Sequence, residues 1–142
     1  MNTDDVTDEL LDAVIAQYKK KLASNPNDVK AHHNLAATYL SKGMLDQAIS
    51  EYKKILALNP NYGKSRANLG LAYYQQGRLE EAIEEYEKAL TINPTSGEVH
   101  YNLSIAYYAK SNYKLALLHC DRAQELGFEV SSQLLTALKP YR

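Results

Sequence analysis

The side chains that most often carry out chemistry in proteins are few and poorly grouped in this sequence. His32 and His33 are adjacent, and so are His119 and Cys120. If these residues are helical, neighbours in sequence point in different directions, so neither pair can face one ligand. The sequence also lacks Cys-x-x-Cys, His-Glu-x-x-His, Gly-x-Ser-x-Gly and glycine-rich phosphate-loop motifs. We therefore expect no catalytic residues, no metal site and no cofactor, and we expect Cys120 to be inert.

An acidic run in the middle of the chain is the next candidate for a binding function. It could form a site for a basic partner. The alternative is a solvent-exposed helix face, which Glu84 and Lys88 would support as a pair four residues apart. We favour the solvent-exposed face. The run consists of Glu80, Glu81, Glu84, Glu85 and Glu87.

The positions of three prolines show that the chain is a repeat. Pro26, Pro60 and Pro94 each follow an asparagine and lie 34 residues apart. A fixed period of this length indicates stacked copies of one supersecondary unit. Other residue types recur at the same spacing: Asn34, Asn68 and Asn102; Tyr39, Tyr73 and Tyr107; Ala48, Ala82 and Ala116.

Each copy is predicted to be a helical hairpin. In the middle copy, apolar residues recur at helical spacing in two stretches. Gly77 would supply the left-handed residue that ends the first helix. Asn93 would end the second, because a residue that precedes proline is disfavoured in helical geometry. The small residues Gly70 and Ala82 would let the two backbones approach closely.

The repeat resembles the tetratricopeptide repeat family. The middle copy matches the family pattern, although Arg66 stands where the family prefers Trp, and His32 and His100 stand there in the flanking copies. The resemblance implies an all-α, right-handed solenoid of three helix-turn-helix repeats with one helix before and one after. The matching residues are Leu69, Gly70, Tyr73, Gly77, Ala82, Tyr86, Ala89 and Pro94.

We predict a single domain over residues 1–142. Its parts are an N-terminal helix (7–24, with Thr7 as N-cap), repeats at 28–59, 61–93 and 95–127, and a capping helix at 130–139. Val14 and Tyr18 are equivalent to Ala48 and Tyr52, so the first helix corresponds to the second helix of a hairpin. It could be a native cap or the remainder of a longer array.

The third copy is apolar where the other two are polar. Leu115 stands where the other two copies have Gln and Glu, and Leu118 stands where they have Ser and Glu. We expect a C-terminal helix, capped by Ser131 or Ser132, to cover them, since terminal repeats need a cap. The alternative is that these leucines form a surface for self-association or for a partner.

Composition limits the classes of function. The formal net charge of −1 argues against a general attraction to nucleic acid or anionic membranes. One cysteine excludes an internal disulfide framework, and no apolar run is long enough to cross a bilayer. Because the start is acidic and has no secretory signal pattern, we expect a cytoplasmic protein without membrane insertion.

The resemblance also implies a binding surface, because the first helices of this family line a concave groove that holds a peptide or a helix. The asparagine ladder could bond a peptide backbone, beside an apolar stripe with tyrosines at its edge. The candidate peptide-binding residues are Lys30, His33, Asn34, Ala37, Lys64, Asn68, Leu71, Tyr74, Gln75, Tyr101, Asn102, Ile105 and Tyr108.

One class of ligand is disfavoured. Family members that bind the C-terminal carboxylate of chaperones use a clamp rich in Lys, Arg and Asn. Here the equivalent residues are His33, Ala37, Asn68, Glu98 and Asn102, of which only Asn68 matches. Because Glu98 would repel a carboxylate, we do not expect an acidic chain terminus as the ligand.

The leading prediction is a non-enzymatic protein–protein interaction module that binds a peptide segment or partner helix in the groove, most simply as a monomer. The alternative is a structural, self-assembling scaffold subunit that associates through its terminal repeats.

Overall fold

The structure is a computed structural model that describes residues 3–142. Within this range it contains eight α-helices, a final 3₁₀ turn at Lys139–Tyr141 and no strand. None of these helices combines the length and apolar character that crossing a membrane requires. The helices are α1 Thr3–Ser24, α2 Val29–Ser41, α3 Leu45–Leu58, α4 Gly63–Gln75, α5 Leu79–Ile92, α6 Gly97–Ala109, α7 Tyr113–Glu125 and α8 Ser132–Leu138.

The helices form a row of hairpins. α2 pairs with α3, α4 with α5, and α6 with α7, while each second helix also packs on the first helix of the next hairpin. α1 packs on α2 in the same way. One apolar core runs from Ile15 in α1 to Leu103 in α6, and a second joins α7 to α8. The predicted all-α solenoid of three repeats with a helix at each end is therefore confirmed.

Glycine is required at the turns and at one close approach. Gly43 and Gly77 have φ of +77° at the ends of α2 and α4, as predicted for Gly77. Ser111 takes the same left-handed conformation at φ +61° after α6. A Cβ on Gly70 would lie 2.8 Å from the Tyr86 ring, which explains why α4 and α5 need a residue without a side chain here.

The N-terminal helix begins earlier than expected. It starts at Thr3, and Thr7 lies inside it, where its hydroxyl donates to the Thr3 carbonyl at 3.0 Å. Thr7 is therefore not an N-cap. Asp4 and Asp5 occupy the first turn, where negative charge suits the helix dipole.

The predicted cover of the third-repeat leucines by the C-terminal helix is wrong for Leu118. Ser131 caps α8 by accepting from the Leu134 N–H at 3.2 Å, and Leu134 and Leu138 are buried. They pack against the α7 face that carries Cys120. Leu118 lies about 200° around the helix from Cys120, and it remains 55% exposed. Leu115 is half-buried.

Candidate interaction groove

A pocket of about 330 Å³ lies between the first helices of repeats two and three. α4 contributes Lys64, Asn68 and Leu71, and α6 contributes Glu98 and Asn102. Four of the predicted peptide-binding residues therefore line one cavity. The remaining lining residues are Gly63, Ala67, Ala89, Asn93, Ser96 and Val99.

The chemistry of the pocket suits a peptide. Leu71 is half-buried and Val99 is buried, so the pocket has an apolar surface. The Asn68 and Asn102 amides each offer donors and an acceptor to a backbone that loses water on binding. Lys64 and Glu98 are exposed on α4 and α6 and carry opposite charges. A peptide segment that is uncharged, or in which positive and negative charges alternate, fits this arrangement better than a purely acidic one.

Asn68 also lies beside a buried tyrosine. The Tyr52 side chain is 0% exposed, and its hydroxyl makes no hydrogen bond of standard geometry. Burial raises the pKa of Tyr52 to about 12, while the nearby Asn68 amide opposes that rise. Tyr52 therefore stays a neutral phenol, buried beside Asn68.

The predicted residues of repeat one lie on α2 outside this pocket. His33 packs edge-on against Tyr52 and Tyr62, with ring centroids 6.1 Å apart in both pairs. Burial, and then the charge of Lys64, lower the pKa of His33. Asn34 and Ala37 are half-buried and Lys30 is exposed.

The predicted aromatic residues of repeat three pack against other aromatic side chains of this chain. Tyr101 lies against Phe128 with ring centroids 5.1 Å apart, and Tyr108 lies against Tyr113 at 5.4 Å. Ile105 packs on the same core between α7 and α8. In repeat two, Tyr74 packs on the main core and Gln75 is exposed.

A set of polar bridges that sequence reasoning missed holds each inter-repeat connection. His32 Nδ1 lies 2.5 Å from Glu51, and its Nε2 lies 2.6 Å from the Pro26 carbonyl. In repeat two, the Arg66 guanidinium donates to Glu85 at 3.0 Å and to the Pro60 carbonyl at 3.1 Å. The signal was present in the sequence, because both pairs are 19 residues apart and recur with the repeat.

The third copy replaces the ion pair with two histidines. His100 Nε2 donates to the Pro94 carbonyl at 3.0 Å. In its neutral form its Nδ1 must then accept, so His119 Nδ1 donates to it across 3.0 Å. His119 Nε2 is left facing Glu87 at 3.8 Å. Tyr107 stacks on His119 and donates to Glu87 at 3.0 Å.

The acidic run is only partly a solvent-exposed face. Glu84 pairs with Lys88 at 3.1 Å as expected, and Glu80 and Glu87 are exposed. Glu85 is buried, with 9% exposure, because it faces Arg66 in the bridge of repeat two. The prediction is therefore wrong for Glu85.

A cleft of about 670 Å³ lies between α1, α2 and α3, and its walls include Leu22, Leu35 and Leu58. Its buried polar residues, His32 and Glu51, are already bonded to each other. Across residues 3–142, no three His, Cys, Asp or Glu side chains lie together where they could hold a metal ion.

Comparisons with solved structures give the same architecture. The chain is 29% identical to MamA of MSR-1, covering 86% of this chain and 70% of that one with a TM-score of 0.75. It is 30% identical to MamA of AMB-1, with 85% and 71% covered and a TM-score of 0.73. For MamA 41-end from Desulfovibrio magneticus RS-1 the values are 24%, 86%, 69% and 0.79. A comparison with curated proteins gives no match.

Family models identify the repeat itself. A model described as TPR repeat matches residues 38–77 and 70–111, and one described as Tetratricopeptide repeat matches residues 18–50. The first model alone spans more than half of the 142 residues. The sequence period, the hairpin row and these matches agree, and they indicate a protein-interaction module. The chain belongs to the tetratricopeptide repeat family.

Proposed function

We propose that this chain is a non-enzymatic module that binds a peptide segment or partner helix in the groove formed by α2, α4 and α6. The observation that carries the proposal is the pocket between α4 and α6, where Asn68, Leu71 and Asn102 line one cavity of about 330 Å³. An apolar side chain of the ligand would enter beside Leu71, and the ligand backbone would bond the two amides.

Three predicted site residues of repeat three also have packing contacts within the chain. Tyr101, Ile105 and Tyr108 pack against the α7–α8 core but stay half-buried, as Asn68 and Leu71 do, so they would present fixed side chains to the ligand. Lys30, His33, Asn34 and Ala37 would extend the surface toward α1. The cytoplasmic location, the monomeric state and the lack of nucleic-acid partners stay predictions.

The test is a peptide-display selection against the wild-type chain, followed by calorimetric titration of the selected peptides. Leu71→Lys should weaken binding by about 30-fold or more, the effect of losing a contact of at least ~2 kcal/mol. Its circular dichroism and melting should stay close to wild type, because Leu71 is only half-buried. Asn68→Ala should weaken binding by a smaller factor.

Leu118→Lys is the matched control, since this leucine is 55% exposed on α7, away from the groove. Equal affinity of Leu71→Lys and Leu118→Lys for the selected peptides would refute the assignment of the groove as the binding surface. Loss of fold together with binding in Leu71→Lys would also remove the support for the assignment.

A second candidate function is a self-assembling subunit. It is favoured by large apolar side chains left exposed near both ends of the solenoid, namely Leu10 at 63% and Leu118 at 55%.

A further inference from the structure

The cleft between α1, α2 and α3 is separate from the proposed groove. Its volume of about 670 Å³ is within the usual range for small-molecule sites, roughly 300–1,000 Å³. α1 and α3 form its two walls, and both helices pack on α2, which forms its base. Among residues 3–142, the cleft and the pocket between α4 and α6 share no lining residue. A ligand of the cleft would therefore bind independently of the proposed peptide.

A short side chain lies at the base of the cleft. His32 bonds Glu51 on one side and the Pro26 carbonyl on the other, so these polar groups are satisfied. In repeat two the longer Arg66 makes the equivalent pair of bonds. The imidazole of repeat one makes the same connection with a smaller side chain, and space remains between the two walls.

The walls of the cleft are apolar toward the C-terminal ends of α1 and α3. Leu22 and Ala23 belong to α1, and Ala57 and Leu58 belong to α3. Leu58 is 46% exposed, and both alanines are exposed as well. An apolar ligand that covered these side chains would remove their surface from water, which favours binding.

About one helical turn before this apolar end, the cleft carries positive charge. Lys19 on α1 and Lys54 on α3 are 35 residues apart, one more than the repeat period, so they stand at nearly the same level on the two walls. Both are exposed. Among the described lining residues the sole acid is Glu51, which is 8% exposed and is bonded to His32 and to Lys54. The Lys54 ammonium keeps further donors for a ligand.

We propose that this cleft binds a small amphipathic carboxylate, that is, a molecule whose apolar chain ends in a carboxylate group. The apolar chain would lie between α1 and α3 against Leu22 and Leu58. The carboxylate would accept charge-assisted hydrogen bonds from the Lys19 and Lys54 ammonium groups. The same two lysines would repel a ligand with a cationic end.

The first test is calorimetric titration of the full chain with sodium decanoate and with n-decylamine, both below the concentrations at which they form micelles. The two ligands have the same apolar chain length but opposite charges. Decanoate should saturate one site, and decylamine should bind about tenfold more weakly or worse, a difference of at least ~1.4 kcal/mol. The affinity for decanoate should fall as salt is raised, because both lysines are exposed.

Two variants that fill the cleft test its location. His32→Arg introduces the side chain of repeat two and should occupy the space while it keeps the bond to Glu51. Ala57→Trp places a large ring at an exposed position of the α3 wall. Each should weaken decanoate binding by about tenfold or more. Circular dichroism should show a melting temperature close to that of the wild type.

A pair of charge reversals tests the role of the lysines. Lys19→Glu should weaken decanoate binding by about tenfold or more. Lys20→Glu is the matched control, because this lysine is also exposed on α1 but lies outside the lining of the cleft. It should change the affinity by less than about threefold, since solvent and salt screen an exposed charge at longer range.

Decanoate binding that does not saturate would overturn the proposal, and so would equal affinity for decanoate and decylamine. If decanoate binds Ala57→Trp as tightly as the wild type, the cleft is not the site, because this variant changes an exposed residue of its wall. Equal losses in Lys19→Glu and Lys20→Glu would show that general positive charge, and not the cleft, attracts the carboxylate.

Discussion

At the scale of single residues, repeats two and three use different residue pairs where the two helices of a hairpin approach closely. Gly70 leaves room for the Tyr86 ring, which is 1% exposed. In repeat three the equivalent residues are Ser104 and Cys120, so a larger residue on the first helix faces a smaller one on the second. Ser104 also donates to the Ala116 carbonyl at 2.7 Å.

Gly70→Ser should destabilise the fold, because its Cβ would lie 2.8 Å from the Tyr86 ring. Overpacking of this kind costs about 1–3 kcal/mol. Urea denaturation measures the loss, with Ala67→Ser on the half-buried side of the same helix as control. A loss no larger than that of the control would contradict the packing argument.

The histidine pair of repeat three should make stability depend on pH. Burial lowers the pKa of His119 below the ordinary 6.5, and His100 lowers it further, while Glu87 opposes the shift. Because the folded-state pKa lies below the unfolded value, this stabilising contribution is complete above about pH 6.5. It is lost as the pH falls through the folded-state pKa.

Denaturation at a series of pH values between 7 and 5 checks this expectation. His119→Gln should show a smaller loss of unfolding free energy on acidification than the wild type. His33 also has a lowered pKa, so some loss should remain in the variant. Identical slopes for the two proteins would show that His119 does not contribute.

At the scale of elements, α8 closes the row by covering the second helix of repeat three. It is only seven residues long, but its Leu138 is 1% exposed and packs in the core with Ala116, Cys120 and Ala123. Tyr141 stacks on Tyr113 with ring centroids 3.7 Å apart, and so holds the end of the chain against α7.

Leu138→Ala should therefore lower the unfolding free energy by about 2–5 kcal/mol, the usual cost of truncating a buried leucine. Thr136→Ala, an exposed position of the same helix, should change it by less than about 0.5 kcal/mol. Chemical denaturation followed by circular dichroism compares the two variants. Similar small effects would mean that α8 is not part of the cooperative core.

At the scale of the whole molecule, each repeat contacts only its neighbours, so stability is distributed along the row. α4 and α5 have a hairpin on both sides, whereas α1 and α8 are terminal. The central hairpin should be protected best against local unfolding.

Hydrogen exchange followed by mass spectrometry tests this expectation. Amides of α4 and α5 should exchange most slowly, and those of α8 and the first turns of α1 most quickly. A uniform rate throughout the helices would indicate one all-or-none unit instead of a graded row.

The sequence alone determined the period, the hairpin units and the turn glycines. These features depend on local geometry: apolar residues at helical spacing define each helix, and Gly43 and Gly77 meet a left-handed requirement that few other residues satisfy. Equivalent residues 34 apart then required that the units stack in the same way. The family and the row of helices followed from information within each repeat.

Only the tertiary structure decided which polar residues pair and which of the predicted groove residues also contact other parts of the chain. Glu85 could not be told from its exposed neighbours, because its burial depends on Arg66 arriving from another helix. Tyr101 and Tyr108 belong to the predicted groove by position, yet the path of the chain after Gly127 brings Phe128, α8 and Tyr141 into that end of the molecule. The repeat determines the position of a residue on its helix. The packing of the neighbouring elements determines which residues its side chain contacts.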